Sequence, residues 1–373
     1  MNNVKSVFIR KRNENYNVYI EYIDENGKIK QRSQGKYTNK KDAEKHLVDL
    51  KSSIYSSKFI IPKDITLVDR CYKYINDNSQ EWSYNTIVTS TSTIVTSIKQ
   101  FFKDTLLNEV SIYQVQSFVN NLYRNFSAAT AKNKYGLLRT ILRECYRLKE
   151  INENITDFIK IPKKDTTSNS DVYTKEEVKL LIEKLNGESI EIPILLMVLL
   201  GLRKAEALGL KWKDVDFENN IININQVLIY KGKEGFSFKE PKSFKSKRSL
   251  HAPNELMKKL KNEKLRQNKL KLEGVLENEY DLVCLNSNLT PYIDRVLNVN
   301  FSKFVKRNNL RKIRLHDLRH TNATIMLLSG TNMKVVSERL GHSNIEISMN
   351  RYSHILEEMD KEASKNLSDL LFK

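Results

Sequence analysis

The sequence predicts a multidomain, mainly α protein with small β elements: an N-terminal three-stranded sheet plus helix, an all-α middle, and a mixed α/β C-terminal domain. Three observations carry this. Alternating runs broken by turn residues occupy Val7–Thr38. From Ile65 to about Glu150, apolar residues recur at helical spacing. Beyond a polar stretch, Pro162 to Ser170, helical and β-branched segments mix.

Val7-Phe8-Ile9-Arg10 forms the first strand, and Asn13-Glu14-Asn15 turns it. Asn17–Ile23 returns with Val18, Ile20 and Tyr22 on one face, and Asp24–Gly27 turns the chain into a third strand, Lys28–Thr38. Asn39 or Thr38 caps a helix from Lys40 to about Ser56. This domain, residues 1–60, holds 13 basic and 7 acidic residues. A basic sheet face fits a DNA major groove, with Arg10 and Arg12 as candidate contacts. The plainer reading is an accessory domain with solvated lysines.

Pro62 and Lys63 read as a linker, and Asp64 as the cap of the first helix of the second domain, residues 64–160. One helix there buries Val115, Phe118, Val119 and Leu122. Another buries Leu137, Leu138, Ile141, Leu142, Cys145 and Leu148. On the latter Arg139, Arg143 and Arg147 recur every four residues as a basic stripe. Together with Lys132 they are candidates to track phosphates, although such arginines are often merely solvated. The third domain, residues 171–373, opens on a capping box, Thr174 with Glu177. Ile221–Tyr230 reads as a strand, Phe236–Leu250 as its hairpin partner, and Asn254 to about Leu272 as a Lys-rich helix.

Charge narrows the partner. The 63 Lys and Arg against 45 Asp and Glu leave +18, an excess that a polyanion such as nucleic acid offsets. The longest apolar run, Ile192–Leu200, is too short to span a bilayer, and Met1–Arg12 lacks the apolar core of a signal peptide. Cys71, Cys145 and Cys284 have no metal-ligand spacing and read as reduced, mostly buried thiols. The expected setting is cytoplasmic, with no membrane, metal or cofactor.

Candidate chemistry lies in the last domain. Arg203 follows the apolar stretch Ile194–Leu202, so its guanidinium sits at the edge of a core and needs an anion. Glu206 would pair with it or orient it, and a structural salt bridge alone would explain both. His316, Arg319 and His320 share a helical face at i, i+3 and i+4. A histidine beside an arginine suits a phosphate, the arginine neutralising charge and the imidazole handling a proton. Zinc fits poorly, because Arg319 shares that face. Leu340-Gly341-His342 is followed ten residues later by Tyr352, then Ser353-His354.

Arg203-x-x-Glu206, His316-x-x-Arg319, Leu340-Gly341-His342 and Tyr352, in this order, resemble the tyrosine recombinase family. The resemblance spans the C-terminal domain. Gly201–Leu210 is similar to the family's first box, His316–His320 to the second, and Leu340–Ser343 with Tyr352–His354 to the third. It implies a catalytic lysine on a hairpin between the first two boxes. Lys242 in Pro241–Leu250 fits best, with Lys239, Lys245 and Lys247 close by, and His251 stands where the family usually has proline. The first domain is similar to the arm-binding domain of integrases from conjugative transposons and temperate phages, and the middle zone to the core-binding domain.

The resemblance implies a site-specific recombinase that integrates and excises a mobile element. Arg203 and Arg319 would clamp the non-bridging oxygens of a phosphodiester, and Tyr352 would attack phosphorus. His316, supported by Glu206, would steer the proton, Lys242 would protonate the leaving 5′-oxygen, and His342 would hydrogen-bond the phosphate. A 3′-phosphotyrosine link conserves the bond energy, so neither ATP nor metal is needed. In the family four protomers exchange two duplexes through a Holliday junction. Ile355, Met359, Ala363 and Leu367, with Leu356, Leu370 and Leu371, form a C-terminal apolar stripe for docking on a neighbour or on its own domain. Partners implied are double-stranded DNA at core and arm sites, a homo-tetramer, and an excisionase or DNA-bending host protein, in a bacterial nucleoid. A type IB topoisomerase and a non-catalytic DNA-binding regulator are the rival readings.

Overall fold

The computed structural model describes residues 4–23, 27–56, 59, 65–163, 172–241, 246–341, 368 and 371–372. It divides into two compact units, residues 1–167 and 168–373.

The first unit begins with β1 (Val4–Arg12), β2 (Asn15–Ile23) and β3 (Ile29–Tyr37), an antiparallel sheet in that order. Alternation puts Val7 and Ile9 opposite Ile20 and Val18 on one face. That face packs with Ala43, Leu47, Leu50 and Ile54 of α1 (Lys40–Tyr55). Asn39 caps α1, its side chain accepting from the Lys41 N–H. At Gly35 a Cβ would stand 2.8 Å from the Tyr37 ring and 3.1 Å from His46 Nδ1, so a larger residue there would displace these side chains.

A separate apolar cluster joins α2 (Leu67–Asp77), α3 (Tyr84–Thr93), α4 (Lys99–Phe102), α5 (Ile112–Asn125) and α6 (Ala128–Arg147). A π-helical turn, Ile94–Ile98, connects α3 to α4. Asp64, the expected cap, lies outside the described residues; Thr66 caps α2, accepting from the Asp69 N–H, and the helix starts at Leu67. Val115, Phe118, Val119 and Leu122 are buried, as are Leu138, Ile141, Leu142 and Cys145. Leu137 is partly buried, but Leu148 is 48% exposed, since α6 ends at Arg147 and the cap residue leaves the buried face. Burial pushes the Cys71 and Cys145 thiols up to about 12, so both are inert packing groups.

The second unit contains α7 (Lys175–Leu185), α8 (Glu191–Leu200), α9 (Lys204–Leu208), α10 (Asn254–Leu272), α11 (Asp294–Arg307), α12 (Asp317–Leu328) and α13 (Met333–Leu340). The Thr174–Glu177 capping box opens α7. Among the described residues, five strands follow α9: β4 (Val215–Asp216), β5 (Ile221–Ile224), β6 (Val227–Tyr230), β7 (Phe236–Lys239) and β8 (Arg248–His251). The single strand expected at Ile221–Tyr230 is thus two strands in different sheets, β4-β5-β8 and β6-β7. Side chains at the break explain the division: Asn225 donates to Asp214 and Gln226 to the Gly209 carbonyl. A Cβ on Gly209 would lie 2.6 Å from the Leu228 backbone nitrogen, so glycine lets β6 close on α9.

α8 is the centre of this unit's core, with Ile194, Leu196, Met197 and Leu200 buried. Asn322 of α12 donates to the carbonyls of Val198 and Leu199, clamping α12 to the end of α8. Gly201 then turns at φ +67°, where a Cβ would meet Leu340 at 2.7 Å and Asn322 at 2.8 Å. Glycine is therefore doubly required where α8, α12 and α13 converge. Among the described residues no helix is long and apolar enough to cross a membrane.

Candidate active site and nucleic-acid interface

The convergence at Gly201 places Arg203 at the N-cap of α9, His316 at the N-cap of α12, and Arg319 in the first turn of α12. Glu206 is 1% exposed and reaches back to its own helix start. It accepts from the Arg203 N–H at 2.9 Å and from Arg203 Nη1 at 2.7 Å. Burial alone would raise its pKa. The charge and hydrogen bonds of Arg248, with those of Arg203, outweigh it and hold the carboxyl below the usual carboxylate range.

Arg248, on β8, is the residue that sequence reasoning missed. Its Nη2 stands 3.0 Å from Glu206 Oε2 and its Nη1 3.3 Å from Oε1. In Lys245-Ser246-Lys247-Arg248 it reads as one more solvated cation, and only the strand alternation that buries Leu250 and turns Ser249 outward marks its position.

The end of α13 supplies the frame. Helix C-termini leave carbonyls without intrahelical partners. Three successive ones here accept from arginines of three different elements. Arg339 O takes Arg248 Nε at 2.6 Å, Leu340 O takes Arg319 Nη2, and Gly341 O takes Arg203 Nη2 at 3.1 Å. Arg319, 1% exposed, also donates Nη1 to Gly201 O at 2.7 Å. The helix dipole favours cations at this end. Arg203 keeps about a third of its side chain exposed, 37%, so one guanidinium of the set faces outward. His316 is exposed, its ring edge-on to buried His320 with centroids 5.1 Å apart.

Lys242, His342 and Tyr352 lie outside the described residues, as do Lys245 and the C-terminal stripe Ile355, Leu356, Met359, Ala363, Leu367 and Leu370. Lys239 ends β7, and Lys247 pairs with Glu240 at 2.6 Å.

In the first unit, Arg10 lies on the sheet face away from α1. Its guanidinium stands 5.4 Å from the centroid of Phe8 and 5.6 Å from that of Tyr19, two rings that stack. Arg12 is exposed at the end of β1. On α6, Arg147 makes a bidentate pair with Glu144 at 2.6 and 2.9 Å, and Arg143 stands 3.7 Å from Asp157. Arg139 is half-buried, and its Nε has no hydrogen-bond partner among the described residues. Lys132 is exposed. Its neighbour Lys134 is held by Ser97 and Thr96 at 2.8 and 3.1 Å over the Phe126 ring, a packing role.

A cradle of backbone-anchored guanidinium groups has the charge and geometry to hold a phosphate. The chain belongs to the phage integrase family, whose model matches residues 171–359, and an arm DNA-binding domain matches residues 6–54. It is 29% identical to a "Tyrosine recombinase XerC-like" protein of Caldanaerobacter subterraneus subsp. tengcongensis, over 98% of this chain and 99% of that one. Its fold is similar to that of the Tn1549 transposon integrase, solved in complex with a circular intermediate DNA. The TM-score is 0.67 at 19% identity, covering 80% of this chain and 99% of that one. It is similar also to a lambda integrase tetramer bound to a Holliday junction. There the TM-score is 0.54 at 16% identity, covering 91% and 95%.

Proposed function

We propose that this chain is a tyrosine-type site-specific DNA recombinase that moves a mobile element by breaking and rejoining DNA at Tyr352. The observation that carries the reading is the convergence of Arg203 and Arg319, from separate elements, on carbonyls directly preceding His342. Backbone anchoring preorganises both guanidinium groups, so little reorganisation is needed as charge grows on the non-bridging oxygens. His342 hydrogen-bonds the same phosphate. Tyr352 Oη forms the bond to phosphorus, the P–O5′ bond breaks, and the electron pair leaves on the 5′-oxygen, which takes a proton from Lys242. His316 accepts or steers the tyrosyl proton. Reverse attack by a 5′-hydroxyl reseals the strand, and the ester conserves the energy.

In this reading residues 1–60 bind arm-type sites through the Phe8, Arg10 and Tyr19 face. Residues 64–160 clamp core DNA with Lys132, Arg139, Arg143 and Arg147, and residues 171–373 catalyse. Four protomers assemble through the C-terminal stripe, in the manner that the tetramer of lambda integrase suggests. An excisionase or bending protein sets direction, and the complex works on a bacterial nucleoid.

Two plasmids, carrying the junction of the chain's own element and its target, test the reading. Recombinant product without ATP is expected. Relaxation of supercoils with no exchange would return a topoisomerase, and tight binding with no breakage a regulator.

A further inference from the structure

We infer that Arg248 is a positioning residue of the active site, holding Arg203 and the start of the third box in register through Glu206 and the end of α13. This rests on the recombinase reading above.

Three facts support it. First, Arg248 is almost fully buried, its side chain 7% exposed, in contact with a carboxylate that is itself buried. Two guanidinium groups share Glu206, so the three side chains carry a net positive charge. Without Arg248, Glu206 would belong to Arg203 alone, and that pairing would compete with the phosphate for the guanidinium. Second, Arg248 Nε is spent on Arg339 O, and Nη1 also donates to Ser246 O at 3.0 Å. β8, α9 and the end of α13 are thereby joined by one side chain, whose donors form a rigid planar fork. Third, the carbonyl that Arg248 holds is the first of the three that also fix Arg319 and Arg203. A shift at Arg339 is transmitted directly to both.

Lysine cannot reproduce this. It would keep the charge but has no fork to span Glu206 and Arg339 O together. Arg339 itself is a poor substitute: its guanidinium donates to His251 O at 3.4 Å, and burial beside Arg248 lowers its pKa.

The test uses the full chain and a nicked duplex bearing the junction of its own element. Covalent protein–DNA complex is timed at saturating duplex, and affinity is measured separately by gel shift. Arg248→Met should slow covalent complex formation about 10- to 100-fold, the worth of hydrogen bonds to a charged group, with affinity for duplex unchanged. Arg248→Lys should recover part of the rate. In the double variant with Glu206→Gln, the loss should be no greater than the larger single loss, because both act through one network. Should Arg248→Met fail to fold, Arg248→Lys decides, and it must slow the step at least several-fold at wild-type affinity. Wild-type rates in the folded variants overturn the inference, as does a double loss equal to the product of the singles. No adduct from the wild type would instead overturn the recombinase reading.

Discussion

Two groups of arginines share a chain and differ in what holds them. On α6, Arg143 and Arg147 are more than half exposed, and their partners Asp157 and Glu144 are exposed and partly exposed. Such pairs contribute about 0–1 kcal/mol, so a phosphate displaces them readily. Around α13, Arg203, Arg248 and Arg319 donate to backbone carbonyls and to one buried carboxylate. Removing a partner from a buried pair such as Arg248–Glu206 costs about 3–5 kcal/mol, far more than from a surface pair. The first group is free to adapt to a duplex, whereas the second is fixed before a phosphate arrives. Affinity and chemistry should therefore separate on mutation.

The largest effect is expected at the fixed group. Arg203→Ala should lower covalent complex formation at saturating duplex by about 10²- to 10³-fold, as for loss of a preorganised charge donor, with a much smaller change in affinity. Equal losses in rate and affinity would erase the distinction. Replacing Arg139, Arg143 and Arg147 together with glutamine should do the converse. The slope of log affinity against log salt should fall by ~0.9 for each phosphate that is no longer neutralised, while the saturated rate stays near wild type. A saturated rate reduced as far as in Arg203→Ala would place the stripe in the active site.

Much of this was legible in the sequence. The Thr174–Glu177 box opens α7, Asn39 caps α1, and α10 runs from Asn254 to Leu272, because capping and periodicity are local signals. The pairing of Arg203 with Glu206 was legible from their i, i+3 spacing. Arg248 was not, because its meaning depends on Glu206, 42 positions away, and on Arg339 O, 91 away. The break between β5 and β6 was hidden for the same reason. Asn225 continues a polar–apolar alternation that Gln226 interrupts, and only their hydrogen bonds to Asp214 and the Gly209 carbonyl turn that single slip into a strand boundary.

A smaller effect is expected at the arm. Arg10→Ala removes a cation stacked on Phe8 and Tyr19, so affinity for arm-site duplex should fall several-fold while core-site cleavage is unchanged. Gel shifts with separate arm and core duplexes check this.

The smallest concerns acid stability. Glu206 has a depressed pKa in the folded state. Its stabilisation is complete above the unfolded carboxylate pKa of about 4.3 and is lost as pH falls through the folded value. Glu206→Gln should therefore show a shallower fall in melting temperature between about pH 5 and pH 3 than the wild type. An identical fall in both would mean that Glu206 is not the group being protonated.

The chemistry proposed for this site rests on Tyr352 as the nucleophile. A nicked duplex bearing the element's end, incubated with the wild type and with Tyr352→Phe and run on a denaturing gel, tests it most directly. A covalent band at the 3′ side of the break is expected, lost in the variant while duplex binding is kept. A band that survives in Tyr352→Phe would contradict it and move the nucleophile to another residue.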